Sequence, residues 1–150
     1  MSGALQFVRM RSTTAMRTAL MPQSLRVLLV EDSKVLTERL TDAALYQIET
    51  VNLIGTADTE EAAIAIVRRE SIDVIILDLH LKRGTGFGVM RALATRDLKP
   101  RIIVLTNYDW PEYKNAALAL GATHFLDKAR EYDRLPELLH EICEDRHAKH

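Results

Sequence analysis

The sequence predicts an α/β fold, in which five parallel strands form a doubly wound sheet and five helices cover its faces. Two observations support this prediction. Short continuous apolar runs rich in valine and isoleucine recur along the chain, as parallel strands buried on both faces require. Segments with helical spacing of apolar residues separate these runs from Leu25 onward. Strands that alternate with helices form βαβ units with right-handed crossovers, and such units build a parallel sheet.

The five predicted strands follow the apolar runs in chain order. The first, third and fourth runs are the most continuous, whereas the second and fifth are short and weaker. We therefore predict strands at Arg26–Val30, Val51–Ile54, Asp73–Leu77, Arg101–Leu105 and His124–Leu126.

The first two predicted helices follow the first two strands. The first helix has its apolar positions on one face, at Leu36, Leu40, Ala43 and Ala44. In the second, Asp58 followed three residues later by Glu61 has the spacing of a helix N-cap. We therefore expect the second helix to begin directly after Asp58.

Proline and glycine bound the last three predicted helices. The third must end before Pro100, because the residue before a proline disfavours the helical conformation. The fourth begins near Asp109 and ends at Gly121, a residue type that is common directly after a last helical turn. The fifth contains Leu135, and Pro136 is tolerated only in its first turn.

Length and composition are typical of one soluble globular domain. The chain has 150 residues, of which 47% are hydrophobic and 27% charged, and its net charge is -1. Because there is no basic excess, we expect no direct binding to nucleic acid. No apolar run of about 18 residues occurs, so we expect no membrane insertion. The single cysteine, Cys143, excludes an internal disulfide framework and favours a cytoplasmic protein.

Residues 1–24 differ from the rest of the chain. They contain Arg9, Arg11 and Arg17, no acidic residue and no clear pattern of core positions. We therefore expect residues 1–24 to be a disordered extension, residues 25–145 to form the domain, and residues 146–150 to be a C-terminal tail.

Polar side chains follow four of the predicted strands. Glu31 and Asp32 come after the first, Asp78 after the third, Thr106 after the fourth, and Lys128 near the end of the fifth. Since the carboxyl ends of parallel strands share one edge of the sheet, these side chains are expected to converge there. The three carboxylates carry a charge of about -3, which Mg²⁺ and the lysine together would neutralise.

This set of residues suits phosphoryl transfer. Asp78 ends the strongest apolar strand and is the best candidate nucleophile, because a carboxylate can attack phosphorus and form an acyl phosphate. Mg²⁺ and Lys128 would neutralise charge on the transferring oxygens, and the Thr106 hydroxyl could donate a hydrogen bond to one of them.

The segment from Leu25 to Ile142 resembles a response-regulator receiver domain of two-component signalling, a family with the flavodoxin-like strand order 2-1-3-4-5. The matching pieces are VLLVED (Val27–Asp32), DVIILDLHL (Asp73–Leu81), GTGFGVMRAL (Gly84–Leu93), IIVLTN (Ile102–Asn107) and GATHFLDKA (Gly121–Ala129).

The resemblance implies a metal site for Mg²⁺ beside a phospho-acceptor. Asp78 would be the acceptor, and Asp32 and Asp78 would bind the metal directly. Glu31 would act mostly through a metal-bound water, and the main-chain carbonyl of His80 would complete the protein ligands.

The resemblance also implies contacts to the phosphoryl group and a switch. Thr106 and Lys128 would contact the phosphoryl group, and Phe125 stands at the aromatic switch position, expected to turn inward when Thr106 moves. Ala129 departs from the family, which commonly has a proline after the lysine, in a cis peptide.

The implied function is a phosphorylation-controlled switch and not a turnover enzyme. A sensor histidine kinase or phosphotransfer protein would donate the phosphoryl group. The fourth helix, fifth strand and fifth helix would then bind a downstream protein or form a homodimer. The chain ends about 20 residues after Lys128, so we expect a stand-alone receiver acting on a partner in trans, or else a fragment of a longer regulator.

Two other functions remain open. A degenerate receiver would act as a phosphorylation-independent interaction module, as the replacement of the proline by Ala129 suggests. An aspartate-based phosphohydrolase would need a second aspartate two residues after the nucleophile, where His80 stands. The glycines at 84, 86 and 88 do not match a nucleotide-binding fingerprint, and we expect a flexible turn that enters the third helix.

Overall fold

The computed structural model describes residues 24–45 and 49–148. Five parallel strands form one sheet in the order β2-β1-β3-β4-β5, which confirms the predicted strand order. The strands are β1 (Leu25–Val30), β2 (Val51–Ala57), β3 (Val74–Leu77), β4 (Arg101–Thr106) and β5 (His124–Asp127). The helices are α1 (Lys34–Arg39, continued by a π-helical segment at Leu40–Leu45), α2 (Glu60–Arg69), α3 (Gly86–Leu93), α4 (Pro111–Ala119) and α5 (Leu135–Ala148). A short 3₁₀ turn, Tyr132–Arg134, leads into α5.

The sheet register brings the strand ends to one edge. Val30 at the end of β1 pairs with Leu77 at the end of β3, and Leu77 pairs with Val104 in β4. On the other side of β1, Val30 pairs with Ala57 at the end of β2. The residues that follow β1 and β3 therefore leave neighbouring strands at the same height, which is the position that the predicted site requires.

Two apolar cores cover the two faces of the sheet. Alternate residues of a strand point to opposite faces, so that Leu29 packs on one side and Leu28 on the other. One core joins the sheet to α5 and the π-helical segment, and the other joins it to α2, α3 and α4. The middle strand β3 is fully buried on both faces, as its VIIL sequence predicts.

The second strand is longer than predicted. Gly55 lies inside β2, and pairing with β1 continues past it to Ala57. The register shifts between Val27 and Leu28, where β2 carries one extra residue. The glycine does not end the strand because the side chains of Leu28 and Ile66 pack over it.

The helices differ from the sequence prediction in one cap, and two further details came from the structure. The second helix is capped by Thr59 and not by Asp58, because the extended Thr59 places its Oγ1 where it accepts from the Ala62 N–H at 3.1 Å. The fourth helix begins at Pro111, two residues after Asp109, since proline suits the first helical position. The first helix widens into the π-helical segment after Arg39, which apolar spacing does not reveal.

The domain boundaries remain predictions. Residues 1–23 and 149–150 lie outside the described residues, and α5 continues to Ala148. Across residues 24–45 and 49–148, every helix is too short or too polar to cross a bilayer.

Candidate functional site

An acidic cluster lies at the carboxyl edge of the two neighbouring strands β1 and β3. Glu31 and Asp32 follow β1 directly, and Asp78 follows β3. Each residue has a carboxylate oxygen within 4.8 Å of the others. Glu31 and Asp78 are only 4% and 5% exposed, whereas Asp32 is exposed to solvent. The sequence prediction that these three side chains converge agrees with this geometry.

Backbone hydrogen bonds hold the two buried carboxylates in place. The Glu31 N–H donates to the Ala57 carbonyl at 2.9 Å, and the Asp78 N–H donates to the Val30 carbonyl at 3.0 Å, so the sheet ladder extends into the site. Glu31 Oε2 accepts from the Ser33 N–H at 3.2 Å, and Asp78 Oδ1 accepts from the His80 N–H at 3.3 Å. Each carboxylate therefore keeps a second oxygen for another partner.

Lys128 supplies that partner from the turn after β5. Its Nζ donates to Asp78 Oδ2 at 2.7 Å and also forms an ion pair with Glu31 Oε1. Burial alone would lower the pKa of the ammonium, but the hydrogen bonds to the two carboxylates raise it above its ordinary value. Lys128 is therefore the fixed counter-charge of the cluster.

The acidity of Glu31 is strongly perturbed at the site. Burial raises the pKa of its carboxyl from 4.5 to about 7, and the nearby charge of Asp78 acts in the same direction. The hydrogen bond from Lys128 opposes this rise without cancelling it. When Glu31 is ionised, three carboxylates face one ammonium at this edge, and a second cation would neutralise the remaining negative charge.

The turn that carries Lys128 is fixed without a proline. The peptide between Lys128 and Ala129 is trans. Asp127 Oδ1 accepts from the N–H groups of Ala129 at 2.8 Å and Arg130 at 3.1 Å, and the Asp127 N–H donates to Glu131 Oε1 at 3.0 Å. The Lys128 N–H donates to the Thr106 carbonyl at 2.8 Å. This network orients the lysine toward Asp78 although Ala129 replaces the usual proline.

The other predicted residues lie around this cluster. Thr106 ends β4, is fully buried, and accepts on Oγ1 from the Tyr108 N–H at 3.3 Å. His80 is exposed, and its ring stacks on that of Tyr108 with 3.9 Å between centroids. Phe125 lies in β5, half-buried against the core formed with α2, α3 and α4.

An aromatic group next to the site was not predicted as a unit. The ring centroid of Tyr113 lies 6.0 Å from that of His80, and the Tyr113 ring stacks on that of Trp110 with 5.3 Å between centroids. Trp110 lies at the start of α4 and is 56% exposed. Its position before Pro111, at the end of a surface loop, explains this exposure. The only signal in the sequence was the close spacing of aromatic residues between 108 and 113.

The glycine-rich segment leads into the third helix, as predicted, and is closely packed. Gly86 and Gly88 lie in the first turn of α3, and only Gly84 lies in the loop, with φ +79°. A Cβ at Gly86 would overlap the carbonyl oxygen of Asp78, so this glycine permits the close approach of α3 to the site.

The donor set fits Mg²⁺. This ion prefers carboxylate and carbonyl oxygens, keeps several waters and is usually bound through one or two carboxylates. Asp32 and Asp78 offer such oxygens directly, and Glu31 lies close enough to act beside them. The burial of two carboxylates with a single ammonium is an arrangement that a divalent ion would stabilise.

Comparison with known proteins decides the family. The family model described as "Response regulator receiver domain" matches residues 27–140, about three quarters of the chain. The chain is a response-regulator receiver domain. Receiver domains act as switches in two-component signalling rather than as classical enzymes.

Curated relatives extend beyond the receiver domain. The chain is 34% identical over 116 residues to the transcriptional regulatory protein CitB of Klebsiella pneumoniae, covering 77% of this chain and 49% of CitB. It is 30% identical over 118 residues to the cell cycle response regulator CtrA of Brucella ovis, covering 79% of this chain and 50% of CtrA. The chain thus spans about half the length of these relatives.

Two solved receiver domains match this chain over nearly their whole length. The signal receiver domain of the response regulator NarL from Mycobacterium tuberculosis has a TM-score of 0.74 and 26% identity, with 82% of this chain and 98% of that chain covered. The receiver domain of AraT from Geobacillus stearothermophilus, at 22% identity and a TM-score of 0.74, shares the fold.

Proposed function

We propose that this receiver domain accepts a phosphoryl group on Asp78 in a Mg²⁺-dependent reaction. The donor would be a sensor histidine kinase or a phosphotransfer protein, and the phosphorylated domain would act in the cytoplasm on a partner in trans. One observation carries this proposal. The Asp78 carboxylate belongs to the three-carboxylate cluster and at the same time accepts a hydrogen bond from Lys128 at 2.7 Å.

The proposed reaction uses Asp78 as the nucleophile. A carboxylate oxygen of Asp78 forms a new bond to phosphorus while the bond from phosphorus to the donor's imidazole nitrogen breaks, and that electron pair leaves with the imidazole. The product is an acyl phosphate on Asp78. The His80 N–H, which now donates to Asp78 Oδ1 at 3.3 Å, would keep the carboxylate oriented during the attack.

Positive charge would stabilise the transferred group. Asp32, Asp78 and the His80 carbonyl would bind Mg²⁺, with Glu31 acting through a bound water, and the ion would supply charge that neutralises the transferring oxygens. Lys128 would move its hydrogen bond from Asp78 Oδ2 to a phosphoryl oxygen. Its contact with Glu31 would help to hold the ammonium in the site during this exchange.

Thr106 and Phe125 would convert phosphorylation into a change of surface. Thr106 Oγ1 accepts a hydrogen bond from the Tyr108 N–H at 3.3 Å. If the Thr106 hydroxyl donated to the phosphoryl group, it would draw the loop that begins at Thr106 and carries Tyr108 toward Asp78. Phe125 is only half-buried, so an inward turn of its ring would bury more of it and change the surface of β5. The readout surface would be α4, β5 and α5. Its helix α4 contributes only Ala117 to the fully buried core, which leaves it free to shift or to bind a partner or second copy.

Intact-mass measurement with a small phosphodonor tests the proposal. Wild-type protein with Mg²⁺ should gain the mass of one phosphoryl group, and removal of the ion with EDTA should prevent this gain. Asp78→Asn should gain nothing, whereas Asp97→Asn, at an exposed aspartate in the loop before β4, should behave like wild type. Equal addition to Asp78→Asn and wild type would contradict the proposal, and a wild type that gains no mass would favour the phosphorylation-independent interaction module.

A further inference from the structure

A carboxylate from helix α2 lies at the N-terminal end of helix α3. Glu60, the first residue of α2, accepts on Oε1 from the backbone N–H of Thr85 at 3.1 Å. Its own N–H donates to the Arg83 carbonyl at 2.9 Å. Glu60 therefore holds the loop between β3 and α3 at two points. Since the first N–H groups of a helix have no partner within that helix, a carboxylate is the favoured group at this position.

Two glycines provide the space for this carboxylate. A Cβ at Gly88 would overlap Glu60 Oε1, and a Cβ at Gly84 would lie 2.5 Å from Glu60 Cβ. Gly84 also has φ +79°, in the region that side chains disfavour. Glycine weakens a helix, so Gly88 in the first turn of α3 needs a reason, and the Glu60 side chain that occupies its place supplies one.

The loop that Glu60 holds also carries His80. Residues His80 and Thr85 pair in an antiparallel bridge, and the Gly86 N–H donates to the Leu79 carbonyl at 2.9 Å. The Glu60 carboxylate binds the N–H of Thr85, which is the bridge partner of His80. A displacement of the carboxylate would therefore be transmitted through Thr85 to the backbone of His80.

We propose that Glu60 is a positioning residue for the metal site, whose carboxylate fixes the loop so that the main-chain carbonyl of His80 is held for Mg²⁺. This inference rests on the proposed function, in which that carbonyl is a ligand. Glu60 acts through Thr85 and His80 and not by binding the ion. Groups that orient metal ligands in this way commonly change metal affinity by 10- to 100-fold when they are removed.

Calorimetric titration with Mg²⁺ alone tests the role of Glu60. Glu60→Ala should raise the dissociation constant by about tenfold. Glu60→Gln keeps an oxygen that accepts from Thr85 and should stay within about threefold of wild type, since a neutral carbonyl still accepts the hydrogen bond. Glu61→Ala removes the same charge from an exposed neighbour in the same helical turn and should bind like wild type. A purely coulombic effect would instead make Glu60→Gln as weak as Glu60→Ala.

The glycine offers a second and independent variant. Gly88→Ala should expel the Glu60 carboxylate and weaken Mg²⁺ binding about as much as Glu60→Ala. In the Glu60→Ala background the same change should have no further effect, because the space is already open. Hydrogen exchange without metal gives the structural readout: the Thr85 amide should exchange faster in Glu60→Ala, while the Gly86 amide, bonded to Leu79, stays protected.

The outcomes separate the two proposals. If wild type binds Mg²⁺ and Glu60→Ala binds it equally well, the role of Glu60 is overturned and the proposed function stands. If wild type binds no Mg²⁺, the proposed function fails and the role of Glu60 falls with it. Additive effects of Gly88→Ala and Glu60→Ala would also overturn the positioning role.

Discussion

Lys128→Met should destabilise the magnesium-free domain because it leaves two buried carboxylates without a counter-charge. Glu31 and Asp78 are 4% and 5% exposed. Lys128 contacts both carboxylates, and its Nζ lies 2.7 Å from Asp78 Oδ2. Removal of one partner from a buried ion pair costs about 3–5 kcal/mol. We expect the lower end, about 3 kcal/mol, because loss of the lysine raises the pKa of Glu31 further, so that its carboxyl can take up a proton and relieve part of the repulsion.

Urea unfolding at pH 8 in EDTA measures this loss. Lys114→Met, at an exposed position of α4, should stay within about 0.5 kcal/mol of wild type and is the matched control. Asp78→Asn in the Lys128→Met background should restore part of the lost stability, because it removes one of the two uncompensated charges. Mg²⁺ should stabilise Lys128→Met more than wild type. A loss below about 1 kcal/mol, or no recovery by Asp78→Asn, would refute the view that Lys128 neutralises this cluster.

Three further predictions concern the same fold. The pKa of Glu31 is raised to about 7, so the folded state keeps a proton that the unfolded chain loses above its ordinary pKa of 4.5. The free energy of unfolding in EDTA should therefore fall as the pH rises from 4.5 to about 7. An equal fall in Glu31→Gln would contradict the assignment to Glu31. Gly86→Ala should cost about 2–3 kcal/mol in urea unfolding, because its Cβ would overlap the Asp78 carbonyl; unchanged stability would show that α3 can shift. Cys143 is buried, and this burial raises the pKa of its thiol. Ellman's reagent at pH 8 should therefore react at least about tenfold more slowly with the folded protein than with the urea-unfolded protein. Similar rates would contradict the burial of Cys143.

The sheet could be predicted from sequence because its strands are apolar on both faces. The run Val74–Leu77 has no polar residue, and only a strand covered on both sides buries it completely. The polar residues that follow such strands must lie at one edge, which is why Glu31, Asp32 and Asp78 were expected to converge. These predictions needed only the order of residues along each strand.

The details that sequence reasoning missed depend on contacts between distant segments. Thr59 and Asp58 are both good N-caps, and the structure uses Thr59 because the Asp58 carbonyl accepts from the Lys82 N–H instead. Gly55 remains within β2 because β1 continues to pair with it. The close packing at Gly88 was not predicted, because the side chain that fills this space comes from Glu60, 28 residues earlier in the chain.

The identity of the phosphorylated residue tests the central claim most directly. After treatment with a small phosphodonor and Mg²⁺, borohydride reduces an acyl phosphate to an alcohol and releases phosphate, so the modified aspartate can be located by peptide mass spectrometry. We predict reduction at Asp78 alone, and none when EDTA is present. Reduction at Glu31 or Asp32, or reduction at Asp78 that is equally efficient in EDTA, would contradict the account.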